Sequence, residues 1–462
     1  MSMFQLFQRA VRKIFNIKRL EDVIQGDIAE NTDMYKAIYL WGLMYQNKAP
    51  WVNGNIKSMN LPATIAAYFA QMITLEMKVN ITGDARAQYI ADIYKTIMDK
   101  LRVHVEYGCA KGGIIFKPYL DNTGNIAVDF VQADQFFPTV FDANGRITGV
   151  VFLQRITKGD YLFTRVEEHS LKDNTLTITN RAFKDNKINN DLGREVNLSV
   201  VEEWQNLQPV TVIENIDRPL FGYFKVPDAN QIDPGSPLGV SVFGRAVDLI
   251  RHADEIYSSL LWEYQGGEMA VFADTTTFQE KENGRYDMPK GTERLFRMLD
   301  MGEDGAQPVI FAPSLRDSSY IAGLNEALKK IETACGLARG ALSDPNQDAK
   351  TATELKITKQ RSYATVADMQ KALEFALNDL FHAIDNLAAL YHLTPDGTYE
   401  AAFEWDDSII VDSDIEYQRR LQLMAEGIVS KEEFRAWYFG ETIEQARENL
   451  PKPAPGIDFG DE

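Results

Sequence analysis

The amino-acid sequence predicts an α+β protein built from several parts, and three observations lead to this fold class. The first is a β-rich stretch in the N-terminal half, where short apolar runs alternate with turn residues. The second is a pair of amphipathic helical patterns that enclose a shorter group of strands. The third is a polar loop, residues 340–354, followed by a long helical pattern. At 462 residues, the chain is long enough for about two to four domains with their own cores.

Residues 1–235 are predicted to form an N-terminal arm followed by an α/β domain. Four apolar residues near the N-terminus share one helical face: Phe4, Phe7, Val11 and Ile14. This pattern predicts a docking helix, and a helix lying on a membrane surface is the less favoured interpretation. Helical patterns follow at 56–75 and 85–106, with a strand pattern at 77–81 between them.

Two turn sequences in this domain predict β-hairpins. Residues 121–124 read Asp-Asn-Thr-Gly, and residues 142–145 read Asp-Ala-Asn-Gly. Asn and Gly accept the positive φ angles of tight turns, and neither turn has the other ligands of a calcium-binding loop. The predicted strands are 113–119, 125–131, 136–141, 146–155, 161–170, 176–183 and 199–204.

Two helical patterns of about 25 residues enclose the small β-rich insert at 267–313, and each would be roughly 40 Å long. The first occupies 236–266, where Ser236 and Pro237 suit a helix start. The second occupies 314–342, and its apolar face is Ile321, Leu324, Leu328, Ile331 and Cys335. The insert, with strand patterns at 269–273, 295–299 and 309–312, is therefore expected at the far end of a helical stalk.

The polar loop after the second helix is bounded by residues that stop and restart helices. Gly340 is predicted to end the preceding helix, and Pro345 disfavours an early restart. Thr351 and Glu354 then have the spacing of a capping box. Apolar residues recur along the helix that follows: Val366, Met369, Leu373, Leu377, Leu380, Ile384, Leu387 and Tyr391. We interpret this stripe as a core-packing face, because the flanking charges of a coiled coil are sparse.

The C-terminal region, residues 413–450, is predicted to be helical. Gly427 interrupts it, and Ser430 with Glu433 forms a capping box. Eight acids against five bases in this region disfavour a DNA-reading helix-turn-helix. The tail at 451–462 contains three prolines and is expected to be flexible.

The distribution of charge narrows the function. The net charge of −19 disfavours a general duplex-binding protein, which would carry a basic face. Residues 314–361 nevertheless hold eight bases against six acids, a local charge of +2. Two explanations remain open at this point: chance along exposed helix faces, or proximity of this region to a polyanion.

The sequence contains no recognisable catalytic motif. There is no phosphate-binding loop, no His-Glu-x-x-His and no nucleophile elbow. Cys109 and Cys335 are expected to be small buried residues, and His169 is expected at the surface. Asp406 and Asp407 would suit a metal site for phosphodiester cleavage, but a solvated turn is favoured. Neither a cofactor nor an enzymatic activity is expected.

Several segments, taken in order, resemble the portal proteins of tailed bacteriophages, of the type common in phages and prophages of Gram-positive bacteria. The resemblance covers nearly the whole chain and is carried by Trp51 and by residues 57–60, 131–138, 239–246, 350–354, 418–421, 427–434 and 437–441. Lys350-Thr351-Ala352-Thr353-Glu354 is the most recognisable segment. The loop before it departs from the family pattern, because it lacks the glycine that such loops often contain.

The resemblance implies a portal fold assembled as a closed ring, usually of twelve subunits. Its implied parts are an arm and α/β wing at 1–235, stem helices at 236–266 and 314–342, a clip at 267–313, a tunnel loop at 343–352, a long helix with the wing return at 353–412, and a helical crown at 413–450. A heterologous interface that closes on itself produces such a ring.

The resemblance also implies the function and partners. The ring would form a DNA channel at a unique capsid vertex, through which the terminase packages DNA and from which DNA is later ejected. The large terminase subunit, the head–tail adaptor, the major capsid protein and the scaffolding protein are the implied partners, with no membrane involved. The protein would assemble in the host bacterial cytoplasm and remain in the virion.

The candidate channel residues follow from the local positive charge and the position of the loop. They are Asp344, Asn346, Gln347, Asp348 and Lys350 in the tunnel loop, and Lys329, Lys330 and Arg339 along the stem. Lys350, with Asn346 and Gln347, is expected to reach the DNA. The alternative is that these bases form ion pairs with neighbouring subunits, worth ~0–1 kcal/mol each. Two other functions remain open: a minor head or adaptor protein, and a metal-dependent nuclease.

Overall fold

The computed structural model describes most of the chain, in the ranges 17–24, 27–29, 32–75, 77–121, 123–188, 192–274, 279–280, 286–287, 296–299, 309–344, 352–405 and 413–450. Helices account for 45% and strands for 25% of the structure, which confirms the predicted mixture of helix and sheet. The chain divides into two units, one of Met1–Leu75 with Val79–Ala402 and one of Glu76–Lys78 with Phe403–Glu462.

The helices are, in chain order, α1 (Ile17–Ile24), α2 (Thr32–Tyr45), α3 (Leu61–Thr74), α4 (Ala85–Lys111), α5 (Val247–Gly266), α6 (Asp317–Cys335), α7 (Ala352–Leu390), α8 (Ser413–Ala425), α9 (Lys431–Phe439) and α10 (Ile443–Asn449). Short 3₁₀ helices occupy Leu198–Val200, Glu202–Trp204 and Gly244–Ala246. The docking helix predicted at residues 1–15 lies outside the described residues.

The strands are β1 (Met77–Gly83), β2 (Gly113–Leu120), β3 (Ile126–Gln132), β4 (Phe136–Phe141), β5 (Ile147–Lys158), β6 (Tyr161–Lys172), β7 (Thr175–Asn186), β8 (Arg194–Val196), β9 (Val210–Glu214), β10 (Gly222–Lys225), β11 (Ala270–Asp274), β12 (Gln279–Glu280), β13 (Tyr286–Asp287), β14 (Phe296–Leu299), β15 (Val309–Phe311) and β16 (Tyr399–Trp405). The sheet orders are β4-β5-β6-β7-β8 with β9 also on β7, β10-β2-β3, β14-β11-β15, β12-β13 and β1-β16.

Both predicted hairpins are confirmed. β2 pairs antiparallel with β3, and β4 with β5. In the first turn, the Asp121 carboxylate accepts the backbone N–H groups of Thr123 and Asn125, and Gly124 has a φ of +83°. Asp142 and Gly145 repeat this arrangement in the second turn. The aspartates therefore stabilise the turns locally, by the mechanism of an Asx turn.

Helix α7 forms the centre of the larger unit, as its predicted apolar stripe requires. Val366, Met369, Leu373, Leu377, Leu380, Ile384 and Leu387 are all buried. The helix packs on β10, β2 and β3 and on helices α3 and α4. Tyr391 is the exception, because the helix ends at Leu390 and this side chain is 46% exposed. The stripe is thus a core face over its helical length.

The helix predicted as the first stem helix, α5, begins at Val247, so the prediction of a start at Ser236 is wrong. The preceding segment packs against the C-terminal end of α4, where the N–H of Val242 donates to the carbonyl of Cys109 at 3.0 Å. A Cβ on Gly239 would overlap the carbonyl oxygen of Gly112, so the two backbones are in direct contact. These long-range contacts use backbone groups that a helix would need. The 20 residues of α5 span about 30 Å rather than 40 Å.

The helix predicted as the second stem helix, α6, ends at Cys335. The prediction of an end near Leu342 is therefore wrong, and so is the prediction that Gly340 ends the helix. Gly336 is the residue that ends it, with a φ of +73° in the left-handed region. Residues with a Cβ rarely adopt this conformation at a helix end. Helices α5 and α6 pack against each other. The apolar face of α6 buries Leu328 and Ile331 but leaves Ile321 44% exposed.

Two further predictions of secondary structure are wrong. Residues 199–204 form two 3₁₀ turns rather than a strand, and the buried Trp204 packs there with Phe163, Ala182 and Val201. The helix predicted from residue 56 starts at Leu61, because residues 57–60 are held in an irregular conformation by α5. Tertiary packing thus determines both segments.

The predicted strands of the insert and the predicted helices of the C-terminal region are confirmed. β11 pairs in parallel with β14 and antiparallel with β15. In the C-terminal unit, Gly427 has a φ of +74° after α8, and Ser430 and Glu433 form the expected capping box before α9. Thr442 and Gln445 form another before α10. Among the described residues, no helix has the length and apolar character needed to cross a membrane.

Candidate functional site

The structure describes one end of the predicted tunnel loop. Asn346, Gln347, Asp348 and Lys350 lie outside the described residues. Asp344 is described and exposed, and its backbone N–H donates to Oδ1 of the buried Asn325 at 2.8 Å. The chain therefore enters the loop from a point bonded to α6.

Close to Asp344 along the chain lie the three bases that were predicted to line the stem. Lys329 and Lys330 occupy the last two turns of α6, and Arg339 lies in the segment that follows. Lys330 and Arg339 are exposed, whereas Lys329 is half-buried on the helix face that also includes Asn325. Successive helix positions are about 100° apart, so Lys329 and Lys330 do not share one face. The three bases therefore lie near one another along the chain, but Lys329 and Lys330 lie on different faces of α6.

A buried carboxylate that sequence reasoning missed organises this region. Glu332 is fully buried on α6. Its Oε1 accepts the backbone N–H groups of Gly340 at 3.1 Å, Leu342 at 2.7 Å and Ser343 at 2.7 Å. Its Oε2 accepts the Ser343 hydroxyl at 3.0 Å. Four donors from residues 340–343 thus converge on one carboxylate.

The other end of the helix pair carries a second carboxylate contact. Glu263, in the last turn of α5, accepts the backbone N–H and Nε of Arg316 at 3.1 Å each, and Nη2 of Arg316 at 2.7 Å. The Arg316 side chain and backbone hold the pKa of Glu263 below its usual range. This fork joins the end of α5 to the residue before α6 and so closes the base of the insert.

A third carboxylate connects Trp51 and residues 57–60 to α5. Asp254 of α5 is buried, and its Oδ2 accepts Nε1 of Trp51 at 2.9 Å. Its Oδ1 accepts the backbone N–H of Met59 at 2.8 Å, and Ser258 accepts that of Lys57 at 2.8 Å. Burial raises the pKa of Asp254, against the opposing effect of these hydrogen bonds. Trp51 and residues 57–59 are therefore held against α5 by hydrogen bonds.

The prediction that His169 lies at the surface is wrong. It is buried, and its Nε2 lies 2.8 Å from Oε1 of Glu167. Lys117 and Arg165 each lie 2.8 Å from Oε2 of the same carboxylate. Burial by itself raises the pKa of Glu167, but Lys117, Arg165 and His169 together hold it well below its usual range. Lys117 belongs to β2 and the others to β6, so the cluster links two sheets.

The sequence contained one usable signal for these carboxylates. Glu332 lies four positions after Leu328 and three before Cys335, so it shares a helix face with both of these apolar residues. A charged residue at such a position predicts a buried partner. Its partners could not be identified, because three of them are backbone amides, which the sequence does not distinguish.

The described residues offer no candidate metal site. They contain no group of three or more His, Cys, Asp or Glu side chains that could hold a metal ion, and Asp406 and Asp407 lie outside them. Both cysteines are buried, as predicted. Burial raises the pKa of the Cys109 thiol and raises that of Cys335 to about 12, so both thiols stay protonated at neutral pH.

The fold is an α+β fold in which α5 and α6 enclose a small sheet and a 39-residue helix follows. The model of the family described as "Phage portal protein, SPP1 Gp6-like" matches residues 6–450, and the chain belongs to this family. That family is structural, and it supports a portal or connector role and a location in the virion. The family predicted from the sequence is thereby confirmed.

The remaining comparisons are with solved structures and with curated proteins. A solved structure described as "Neck of native GTA particle computed with C12 symmetry" is similar to this chain at 12% identity and a TM-score of 0.39. The match covers 83% of this chain and 91% of that one. No curated protein matches the chain.

Proposed function

We propose that this protein is the portal subunit of a tailed phage, and that twelve copies form a closed ring around a DNA channel at one capsid vertex. DNA would enter through the ring during packaging by the terminase and leave through it during ejection. The single observation that carries this proposal is the family match over residues 6–450. Family membership also supports the proposed partners: the large terminase subunit, the head–tail adaptor, the major capsid protein and the scaffolding protein.

The proposed parts keep the order given by the sequence, with corrected helix ends. Residues 1–235 would form the arm and wing, α5 and α6 the stem, and 267–313 the clip. Residues 343–352 would form the tunnel loop, and 353–412 the long helix and wing return. Residues 413–450 would form the crown. The structural support is the succession of α5, a small sheet, α6, a polar loop and a 39-residue helix.

The proposed action on DNA is passive. A chain with a net charge of −19 gives the channel wall little attraction for phosphate, so DNA would not adhere to it. A few bases at the narrowest point would steady the phosphate backbone without a deep energy minimum. We assign this role to Lys350, with Asn346 and Gln347, between Asp344 and Asp348. Lys329, Lys330 and Arg339 would line the stem.

The ring and the channel contact require separate experiments. Negative-stain microscopy of the purified protein should show rings with a central hole, and assembled material without a hole would contradict the portal proposal. A minor head or adaptor protein would lack the terminase-dependent packaging activity. Incubation with plasmid and Mg²⁺ tests for a nuclease, and cleavage that chelation abolishes would favour that alternative.

The contact with DNA is tested by changing charge. Lys350→Glu should reduce packaged DNA in a terminase-driven assay, because a carboxylate repels phosphate at the constriction. Lys350→Ala should have a smaller effect. Lys100→Glu, at an exposed position on α4, changes the net charge equally and serves as the matched control. If all three rings package DNA normally, Lys350 does not contact DNA.

A further inference from the structure

The turn segment at residues 336–344 leads from α6 into the proposed tunnel loop. Its conformation depends on one side chain. Glu332 binds the backbone of Gly340, Leu342 and Ser343, and Asn325 binds that of Asp344. To bring three amides to one oxygen, the chain must turn sharply twice. Gly336 and Gly340 supply those turns with φ angles of +73° and +87°.

The burial of the Glu332 carboxylate disfavours other conformations of residues 340–343. Glu332 is 0% exposed, and the hydrogen bonds to its carboxylate come from residues 340–343. A buried carboxylate is tolerated only when hydrogen-bond donors compensate for its lost hydration. Here the segment itself supplies the donors. If residues 340–343 rearranged and withdrew these donors, the buried carboxylate would be left without hydrogen-bond partners. The hydrogen bonds therefore keep the segment against α6.

We propose that Glu332 is the positioning residue for the DNA-contacting loop: its carboxylate sets the direction in which the chain leaves α6 at Asp344. The inference rests on the proposed function, since it concerns the loop that we assign to the channel. It differs from a role in folding. Leu328, Ile331 and Cys335 pack the helix independently of the carboxylate.

The local consequence is measurable by hydrogen exchange on the full-length ring. Glu332→Ala removes the shared acceptor, and the amides of Gly340, Leu342 and Ser343 should exchange about 10- to 100-fold faster, as expected for the loss of a buried hydrogen bond. Amides in the middle of α6 should be unchanged. Glu326→Ala, at an exposed position on the same helix, is the matched control and should leave residues 340–343 protected.

Two milder variants keep the test valid if Glu332→Ala fails to fold. Glu332→Gln keeps the size and one acceptor oxygen for the three amides, so it should restore most of the protection. Ser343→Ala removes only the hydroxyl bond to Oε2 and should leave the amide of Gly340 protected. Unchanged exchange of the Gly340, Leu342 and Ser343 amides in Glu332→Ala would overturn the inference.

The functional readout separates positioning from stability. Glu332→Ala rings that remain assembled should lose packaged DNA, Glu332→Gln should recover part of it, and Glu326→Ala should match the wild type. Faster exchange with normal packaging would refute the positioning role. If Lys350→Glu is defective at the same time, the proposed function stands and only this inference fails. If no rings form and no variant affects packaging, the proposed function itself fails.

Discussion

The cluster around Glu167 yields the strongest prediction about stability. Glu167→Gln keeps the shape of the side chain but removes its charge, so Lys117 and Arg165 then face a neutral amide. Their side chains are 8% and 13% exposed, and water cannot replace the lost partner. Removing one member of a buried ion pair costs about 3–5 kcal/mol of unfolding free energy.

Lys117→Met separates the loss of one hydrogen bond from the loss of the central charge. The methionine retains apolar contact with Phe152, whose ring centre lies 4.6 Å from Nζ of Lys117. Glu167 keeps Arg165 and His169 as partners. The expected cost is roughly 1.5–3 kcal/mol, that of one charged hydrogen bond. Glu203→Gln disrupts an exposed pair with Lys158, which solvent screens, and should have the smallest effect on unfolding.

Guanidinium denaturation at pH 7, followed by circular dichroism, ranks these variants. The midpoint should fall most for Glu167→Gln, less for Lys117→Met and least for Glu203→Gln. The pKa of Glu167 is lowered in the folded state, so its stabilisation is complete above its unfolded pKa and is lost as pH falls through the folded value. The acid loss of stability should therefore be shallower in Glu167→Gln. A midpoint for Glu167→Gln equal to that of Glu203→Gln would refute the reasoning.

Four further substitutions test packing and helix ends. Gly222→Ala should destabilise the protein by about 1–3 kcal/mol in thermal unfolding, because its Cβ would overlap the carbonyl oxygen of Ala376 in α7; a wild-type midpoint would contradict that contact. Gly323→Ala, at an exposed position within α6 with open space around it, should stabilise by roughly 0.5–1 kcal/mol. Ser430→Ala and Thr442→Ala should each cost about 1 kcal/mol, seen as faster exchange in the first turns of α9 and α10.

The parts of the fold that sequence predicted are those set by neighbours along the chain. The Asp121 and Asp142 turns are closed by bonds within four residues, so the hairpins could be found without knowing the rest of the fold. The stripe on α7 was equally visible, because a helix that is buried along one face repeats its apolar residues with the helical period.

The parts that sequence missed depend on contacts between distant residues. Nothing near Ser236 shows that Gly239 contacts the backbone of Gly112, and without that contact a helix start was a reasonable interpretation. His169 reads as a polar residue in an alternating strand, and its buried partner Glu167 is bound in turn by Lys117 on another sheet. Glu332 had a local signal in its position on an apolar face, but its partners could not be identified.

The four carboxylates described above have different expected consequences, because their donors differ. Glu167 is bound by side chains from two sheets, and its loss leaves two cations buried, so the damage falls on stability. Asp254 and Glu263 each bind one segment to α5. Glu332 is bound mainly by backbone amides, which remain in place when the side chain is removed and can be hydrated. Its loss should therefore relax the loop entrance more than it destabilises the fold, which makes Glu332 the most selective of the four for altering the proposed channel.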